Sequence, residues 1–337
     1  MSCFIDMFDY GVASSQSPLQ VTLSGKREDR FCIIAGGKRL GVLLSFTIIS
    51  IATSAQSIPQ QLESYTNELR QSRSASVPPA LQEEKNAKEI IASASQYFID
   101  TLSRVRAKMY SLVSDVGIKS KDQTLRQQAV SKLVNSTSDS ENLDLLLSKL
   151  SSFTKSDFNI SSTDTLVALF RREPPYLDQL ARLVGTLQIN ELKEDLRTLS
   201  GPSTKNQRIR WSALLALARM GDDEALKSMM RRAQRLPVND DVVYEVFPDL
   251  VYTRQRQAID YLIVELKSDE KKCTTADAED ETPVTCAYRI MEMLATVIDK
   301  YPLQVDVSGD IKTKDYNKSL NSVREWFAKN QDYKILE

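Results

Sequence analysis

The stretch Arg208-Ile209-Arg210-Trp211-Ser212-Ala213-Leu214-Leu215-Ala216-Leu217-Ala218-Arg219-Met220-Gly221-Asp222 decides the fold. Alanine and leucine at helical spacing fill its centre, and Gly221 stands where a helix ends. Asp222 is placed to cap a second helix carrying Leu226, Met229, Met230 and Ala233. Ser203 to Leu236 therefore reads as two helices joined by a Gly-Asp turn.

The same pattern continues on both sides. Downstream, the spacing predicts a pair over Asp241 to Thr253 and Gln255 to Lys267, with Pro248 kinking or splitting the first member. A last pair is predicted over Pro283 to Lys300 and Lys314 to Asn330, with a short extended stretch between Pro302 and Thr313. Upstream, helices are predicted at Thr163 to Arg172, Pro175 to Leu187 and Asn190 to Leu199. Leu125, Ala129, Leu133 and Val134 mark another helix, and Leu143 to Phe153 its partner. Pro174-Pro175 and Gly201-Pro202 punctuate the series. Farther back, Ile91, Ala94, Phe98, Leu102, Val105, Met109 and Leu112 form one stripe. It predicts a single long helix from Ala80 to about Val116, capped at Gly117.

The Ser203 to Leu236 unit resembles a HEAT-like repeat: an arginine-led helix of small residues and leucines, a Gly-Asp turn, and a second helix opening Glu-Ala-Leu. The resemblance covers about one unit well and weaker copies follow. It implies an all-α, right-handed α-solenoid of helix pairs, spaced roughly 35 to 45 residues apart. Pro248 departs from the pattern. No tetratricopeptide signature is present, and that class is the structural alternative.

The first 55 residues carry a different signal. Lys38-Arg39, the apolar run Leu40 to Ala52, and Thr53-Ser54-Ala55 have the order of a secretory signal peptide cut before Gln56. The run is too short to span a bilayer as a helix, and no cysteine follows it to take a lipid. Residues 1–37 precede it, either as an over-long start or as a cytoplasmic tail on an uncleaved anchor. The expected organisation is thus 1–37 extension, 38–55 signal peptide, 56–118 N-terminal helical brace and 119–337 repeat domain. Export to a periplasm or cell surface follows, with no stable membrane span after cleavage. Cys273 and Cys286 are the two cysteines left after that cut, and an even pair in an oxidising compartment reads as a disulfide. It closes a loop holding Asp277, Glu279, Asp280 and Glu281.

Function is narrowed mainly by what is scarce. The chain has no histidine, which removes histidine-based triads, general bases and metal ligands. Glycine is scarce, 10 in the chain, and from Gln56 onward only Gly117, Gly185, Gly201, Gly221 and Gly309 remain, too dispersed for a phosphate-cradling loop. Lys plus Arg number 44 against 45 Asp plus Glu, so no global field draws in nucleic acid. Neither a cofactor nor a metal is expected. The chemistry-bearing clusters are arginines: Arg171-Arg172, Arg208 with Arg210, Arg231-Arg232 with Arg235, and Arg254 with Arg256. Arg208, Arg231, Arg232, Arg235 and Arg254 with Tyr252 form the candidate binding surface, against the simpler reading of a solvated face. Tyr244 and Tyr261 are further groove candidates, whereas Trp211 and Trp326 read as packing. Asp241, Glu245 and Asp249 at spacing four put three carboxylates on one helical face, the basis of an enzyme alternative on the same fold. HEAT-like DNA glycosylases show that such a fold can also hold nucleic acid. Asp100-Thr101-Leu102 and Asp164-Thr165-Leu166 resemble the O-glycosylation signal of exported Bacteroidetes proteins. The expected function is a non-catalytic scaffold for an unidentified protein partner.

Overall fold

The computed structural model describes residues 56–72, 74–275, 282–306 and 309–336. The expected extension and signal peptide lie outside the described residues, as do the loop acids Asp277, Glu279, Asp280 and Glu281. The fold is mostly helical. In chain order the helices are α1 (Ile58–Gln71), α2 (Ala87–Ala94), α3 (Ser103–Lys119), α4 (Gln123–Asn135), α5 (Leu143–Leu150), α6 (Ile160–Phe170), α7 (Leu177–Leu187) and α8 (Lys193–Ser200). They continue with α9 (Gln207–Arg219), α10 (Asp223–Ala233), α11 (Asp240–Glu245), α12 (Phe247–Thr253), α13 (Arg256–Glu265), α14 (Ala287–Ala295) and α15 (Tyr316–Lys329). Two short antiparallel strands, β1 (Lys271–Cys273) and β2 (Val284–Thr285), precede α14.

Helix starts follow local chemistry. Side-chain oxygens of Asp122, Asn159, Asn206, Asp222, Asn239 and Asp315 accept first-turn backbone N–H groups, which otherwise have no partner. Gly221 closes α9 with φ +79°, a conformation that costs a residue with a Cβ. Pro248 sits at the second position of α12, and the expected Asp241–Thr253 helix is divided at Val246 into α11 and α12.

Three expectations need correction. The long helix from Ala80 to Val116 is not continuous. Tight turns at Pro79–Gln82, Glu84–Asn86 and Ser95–Ile99 flank α2, and Asp100 is extended with ψ 143°. The Asp100 carboxylate accepts the Leu102 N–H at 2.9 Å, offering the backbone an alternative to helix. Arg70 of α1 holds the same carboxylate at 2.6 Å, so the break is fixed from outside as well. The apolar stripe survives because both pieces bury it: Ile91, Ala94, Val105, Met109 and Leu112 are all in the core. Gly117 is no cap. It lies inside α3, where an added Cβ would stand 2.6 Å from the Ala129 Cβ of α4. Lastly, the helix expected over Pro283–Lys300 is limited to α14, because Val284 and Thr285 pair with β1 and Ile298 bridges to Ile335 near the C-terminus.

Packing runs mainly between near neighbours in sequence. α3 packs on α5, α5 on α7, α7 on α9, α9 on α12, and α12 on α14. α2 packs on α4 and α4 on α6 in parallel fashion, while successive helices such as α3 and α4 or α9 and α10 form pairs. Polar contacts between helices join residues at spacings as different as 25, in Arg197–Asp222, and 67, in Arg182–Asp249, and several fall in a narrower range. Arg70–Asp100, Arg106–Asp139, Lys149–Asp115, Arg126–Asp157, Lys155–Gln188, Arg182–Ser212 and Arg219–Tyr252 are 30 to 34 residues apart. Two of these ion pairs are well buried: Arg126 holds the fully enclosed Asp157 at 2.5 Å, and Arg106 holds Asp139 at 2.7 Å.

The expected disulfide is present, with Cys273 and Cys286 bonded and their Cα atoms 5.1 Å apart. It ties β1 to the start of α14, and both cysteines are buried. The Thr165 hydroxyl of the second Asp-Thr-Leu triplet donates to Ser161 O within α6, whereas Thr101 is exposed at the α3 entrance.

The hydrogen bond from Arg106 holds Asp139 down at about pKa 2, with Asn142 and Tyr110 adding to it against burial. Asp157 is also lowered; burial opposes this, and Arg126 and Thr154 overcome it. Their unfolded values lie near 3.9. Because the folded values are lower, the stabilisation is present above about pH 4 and is lost as pH falls through the folded values. Urea midpoints should therefore be flat near neutrality and drop steeply between about pH 4 and 2. Asp139→Asn should blunt that drop, and an unchanged slope would show that Asp139 does not carry it.

Candidate functional site

The α9–α10 unit that carries the sequence signal is also the most heavily contacted part of the fold. α9 is covered by α7, α8, α10 and α12, and Ser212, Ala213 and Leu215 to Ala218 along it are buried. α7 and α9 approach closely at Gly185, where an added Cβ would lie 2.6 Å from the Ala216 Cα. Small residues on both helices allow this.

Beside that approach lies a polar cluster spanning α7, α9 and α12. Asp249 of α12 is 8% exposed. Its Oδ1 accepts from Arg182 Nη1 at 2.7 Å, and its Oδ2 accepts from Trp211 Nε1 at 2.5 Å. Arg182 Nε also donates to Ser212 Oγ at 3.3 Å. Tyr252, one turn after Asp249, donates its hydroxyl to Arg182 O at 2.6 Å. The Tyr252 ring lies between the Arg182 and Arg219 guanidiniums, 5.6 and 5.2 Å from its centroid. Burial raises the Tyr252 hydroxyl to about pKa 12. Asp249, Arg182, Trp211, Ser212 and Tyr252 are hydrogen-bonded to one another across three helices, which is the chemistry of a clamp.

The carboxylate face expected from Asp241, Glu245 and Asp249 does not form. Asp241 and Glu245 belong to α11; Asp241 is exposed and Glu245 exposed. Asp249 belongs to α12 and points inward to Arg182 and Trp211. The split at Val246 breaks the spacing-four register on which that face depended.

The structure distributes the candidate surface residues over distinct positions. Arg208 pairs with Asp178 of α7 at 2.5 Å. Arg232 stacks over Trp211, 4.7 Å from its ring centroid, so Trp211 packs as expected. Arg231 and Arg235 are exposed on the last turn of α10 and just after it. Arg254 lies at the α12–α13 junction in a left-handed conformation with φ 56°. Its Nη1 donates to Val251 O at 2.7 Å and its Nε is buried with no hydrogen-bond partner. Burial, then the charge of Arg219, pushes Arg254 down to about pKa 10. Tyr252 is drawn into the clamp, and Tyr261 packs edge-on against Phe247. Tyr244 remains half exposed beneath Arg289. Arg171 pairs with Glu191 and Asp195, and Arg256 with Asp260. Arg182 and Gly185 were not singled out in sequence: Arg182 lies 67 residues from Asp249, and no local pattern links them.

Charge is concentrated here. Ser203 to Leu236 holds eight Lys and Arg against three Asp and Glu, a net +5 within a chain of net −1. A shallow open groove of about 200 Å³ runs between α10 and α13, lined by Glu224, Lys227, Met230, Arg231, Gln234 and Gln257. Among the described residues no group of histidine, cysteine or carboxylate side chains is arranged to hold a metal ion. No helix among them is long and apolar enough to cross a membrane. Comparison with protein-family models, curated proteins and solved structures gave no match.

Replacing Asp249 with alanine should leave Arg182 charged and half enclosed without its carboxylate. We expect a loss of about 3 kcal/mol in unfolding free energy, read by urea denaturation. A loss below about 1 kcal/mol would show that the clamp is not a structural requirement. Gly185→Ala should cost about 1–3 kcal/mol by overpacking against Ala216.

Proposed function

We propose that this protein is an exported helical-repeat scaffold of the HEAT-like type that binds another protein and performs no reaction of its own. The observation that carries the reading is helix packing that runs mainly between near neighbours in sequence, with several polar contacts joining residues 30 to 34 apart. A chain in which each pair leans on the next is the organisation of a repeat array, in which stability is shared between units and side faces remain open for partners. A right-handed α-solenoid is the arrangement this supports. The three carboxylates that could have served acid–base chemistry together are kept apart, since Asp249 is held inward by two donors while Asp241 and Glu245 lie exposed on α11.

Export rests on two independent features. The Lys38 to Ala55 segment has the order of a signal peptide. The buried Cys273–Cys286 bond is of the kind that persists in oxidising compartments. On this reading the working protein begins at Gln56 and acts in the periplasm or at the cell surface.

Expressed with its leader in a secreting bacterium, the protein should be recovered outside the cytoplasm with Gln56 as its first residue and no titratable thiol. Tagged and returned to envelope extracts of its source, it should capture a defined protein that excess untagged chain displaces. A retained N-terminus would remove the export claim, and capture that untagged chain cannot compete would remove the scaffold claim.

A further inference from the structure

We propose that the groove between α10 and α13 receives an extended acidic segment of the partner protein, one carboxylate meeting Arg231 in the groove, another reaching Arg235 beside its Gln234 wall, and one apolar side chain lying over Met230. The inference rests on the scaffold reading and assigns that scaffold a docking site and a class of ligand.

The electrostatics of the groove are unbalanced. Its one carboxylate, Glu224, is engaged by Lys227 at 3.0 Å. Arg231 in the last turn of α10 and Arg235, two residues past its end, are exposed, and no ion pair reaches either among the described residues. The carboxyl end of α10 favours cations, which makes arginines tolerable there. A helix end supplies only about half a negative charge, however, against two full positive ones. With Lys227 and Glu224 paired, Arg231 is the cation of the groove lining left without a carboxylate. Arg235 lies in the turn that follows α10, so the second guanidinium is not held on the helix face. A bound carboxylate pairs bidentately with a guanidinium.

The rest of the lining favours polypeptide over other anions. Met230 is 2% exposed and forms an apolar floor. Methionine adapts its shape to an incoming side chain. Gln234 and Gln257 are exposed on the groove walls. A primary amide both donates and accepts, matching the alternating N–H and C=O of an extended backbone. At about 200 Å³ the groove is smaller than the roughly 300 Å³ or more that small-molecule sites occupy, and it suits a single side chain. No aromatic ring lines it to stack a nucleic-acid base.

The test is fluorescence anisotropy with the purified protein and a labelled short peptide of glutamate and leucine. The comparison probes are the same peptide with lysine for glutamate, and an oligothymidylate of similar length. We expect saturable binding of the acidic peptide alone, weakened by salt. The double variant R231E/R235E should bind about tenfold or more weakly. K88E/K108E, which reverses two exposed lysines elsewhere, should bind as the parent does. Thermal denaturation of both variants confirms that the fold is kept, and Gln257→Ala supplies a milder change in the same groove. No saturable binding of the acidic peptide overturns the proposal. So does an equal loss in both double variants, which would mean that net charge alone is being read, or tighter binding of the oligothymidylate. If the peptide fails while captured partner is still displaced by untagged chain, the groove assignment falls and the scaffold reading stands. If no partner is captured at all, the scaffold reading falls and the groove assignment with it.

Discussion

The carboxylate of Asp249 gathers Arg182 from α7 and Trp211 from α9 onto α12, and the stacking of this part of the chain depends on that meeting. Hydrophobic burial supplies most of the driving force for folding, but it is non-directional. Leucine and alanine faces such as those of α7 and α9 could slide by a turn at modest cost. A buried carboxylate with two donors in fixed places cannot, because each broken bond leaves a polar group enclosed without a partner. Gly185 and Ala216 let the two backbones come close enough for Arg182 and Tyr252 to reach across.

The same device appears twice more: Arg106 ties α3 to Asp139 in the turn after α4, and Arg126 ties α4 to Asp157 in the turn before α6. Buried ion pairs add little net stability compared with well-packed apolar groups, yet losing one partner is severe. Their effect is therefore on register. Amphipathic helices of similar composition have many near-equivalent ways to pack, and oppositely charged groups in fixed places disfavour the wrong ones. Acid removes this restraint only as pH falls through the lowered values of the two aspartates, since the arginines help hold them in their charged form.

Where arginines are not consumed by this internal pairing, they concentrate on the α9–α10 unit. Arg208 and Arg182 are spent on Asp178 and Asp249, while Arg231 and Arg235 face outward. One class of residue thus serves both assembly of the stack and the chemical character of its surface, and sequence position does not distinguish the two uses.

Helical class, the Gly221–Asp222 turn, the split near Pro248, and the cysteine pair were legible in the sequence. Each is governed by residues within a few positions, or by the pairing of the two cysteines that follow the predicted cut. The single long helix expected up to Val116 was misread because the stripe from Ile91 to Leu112 is real, but periodicity cannot register a break that Asp100 and the distant Arg70 impose. The carboxylate face failed for a related reason: spacing four places Asp249 beside Glu245 only if the helix is unbroken. Which arginines are buried, which stack on rings, and which remain on the surface was decided by tertiary structure alone. A guanidinium's environment is set by whatever lies 30 to 70 residues away in sequence, as with Arg126 and Asp157 or Arg182 and Asp249. The local chain thus determined where helices begin and end, and long-range packing determined what their polar side chains do.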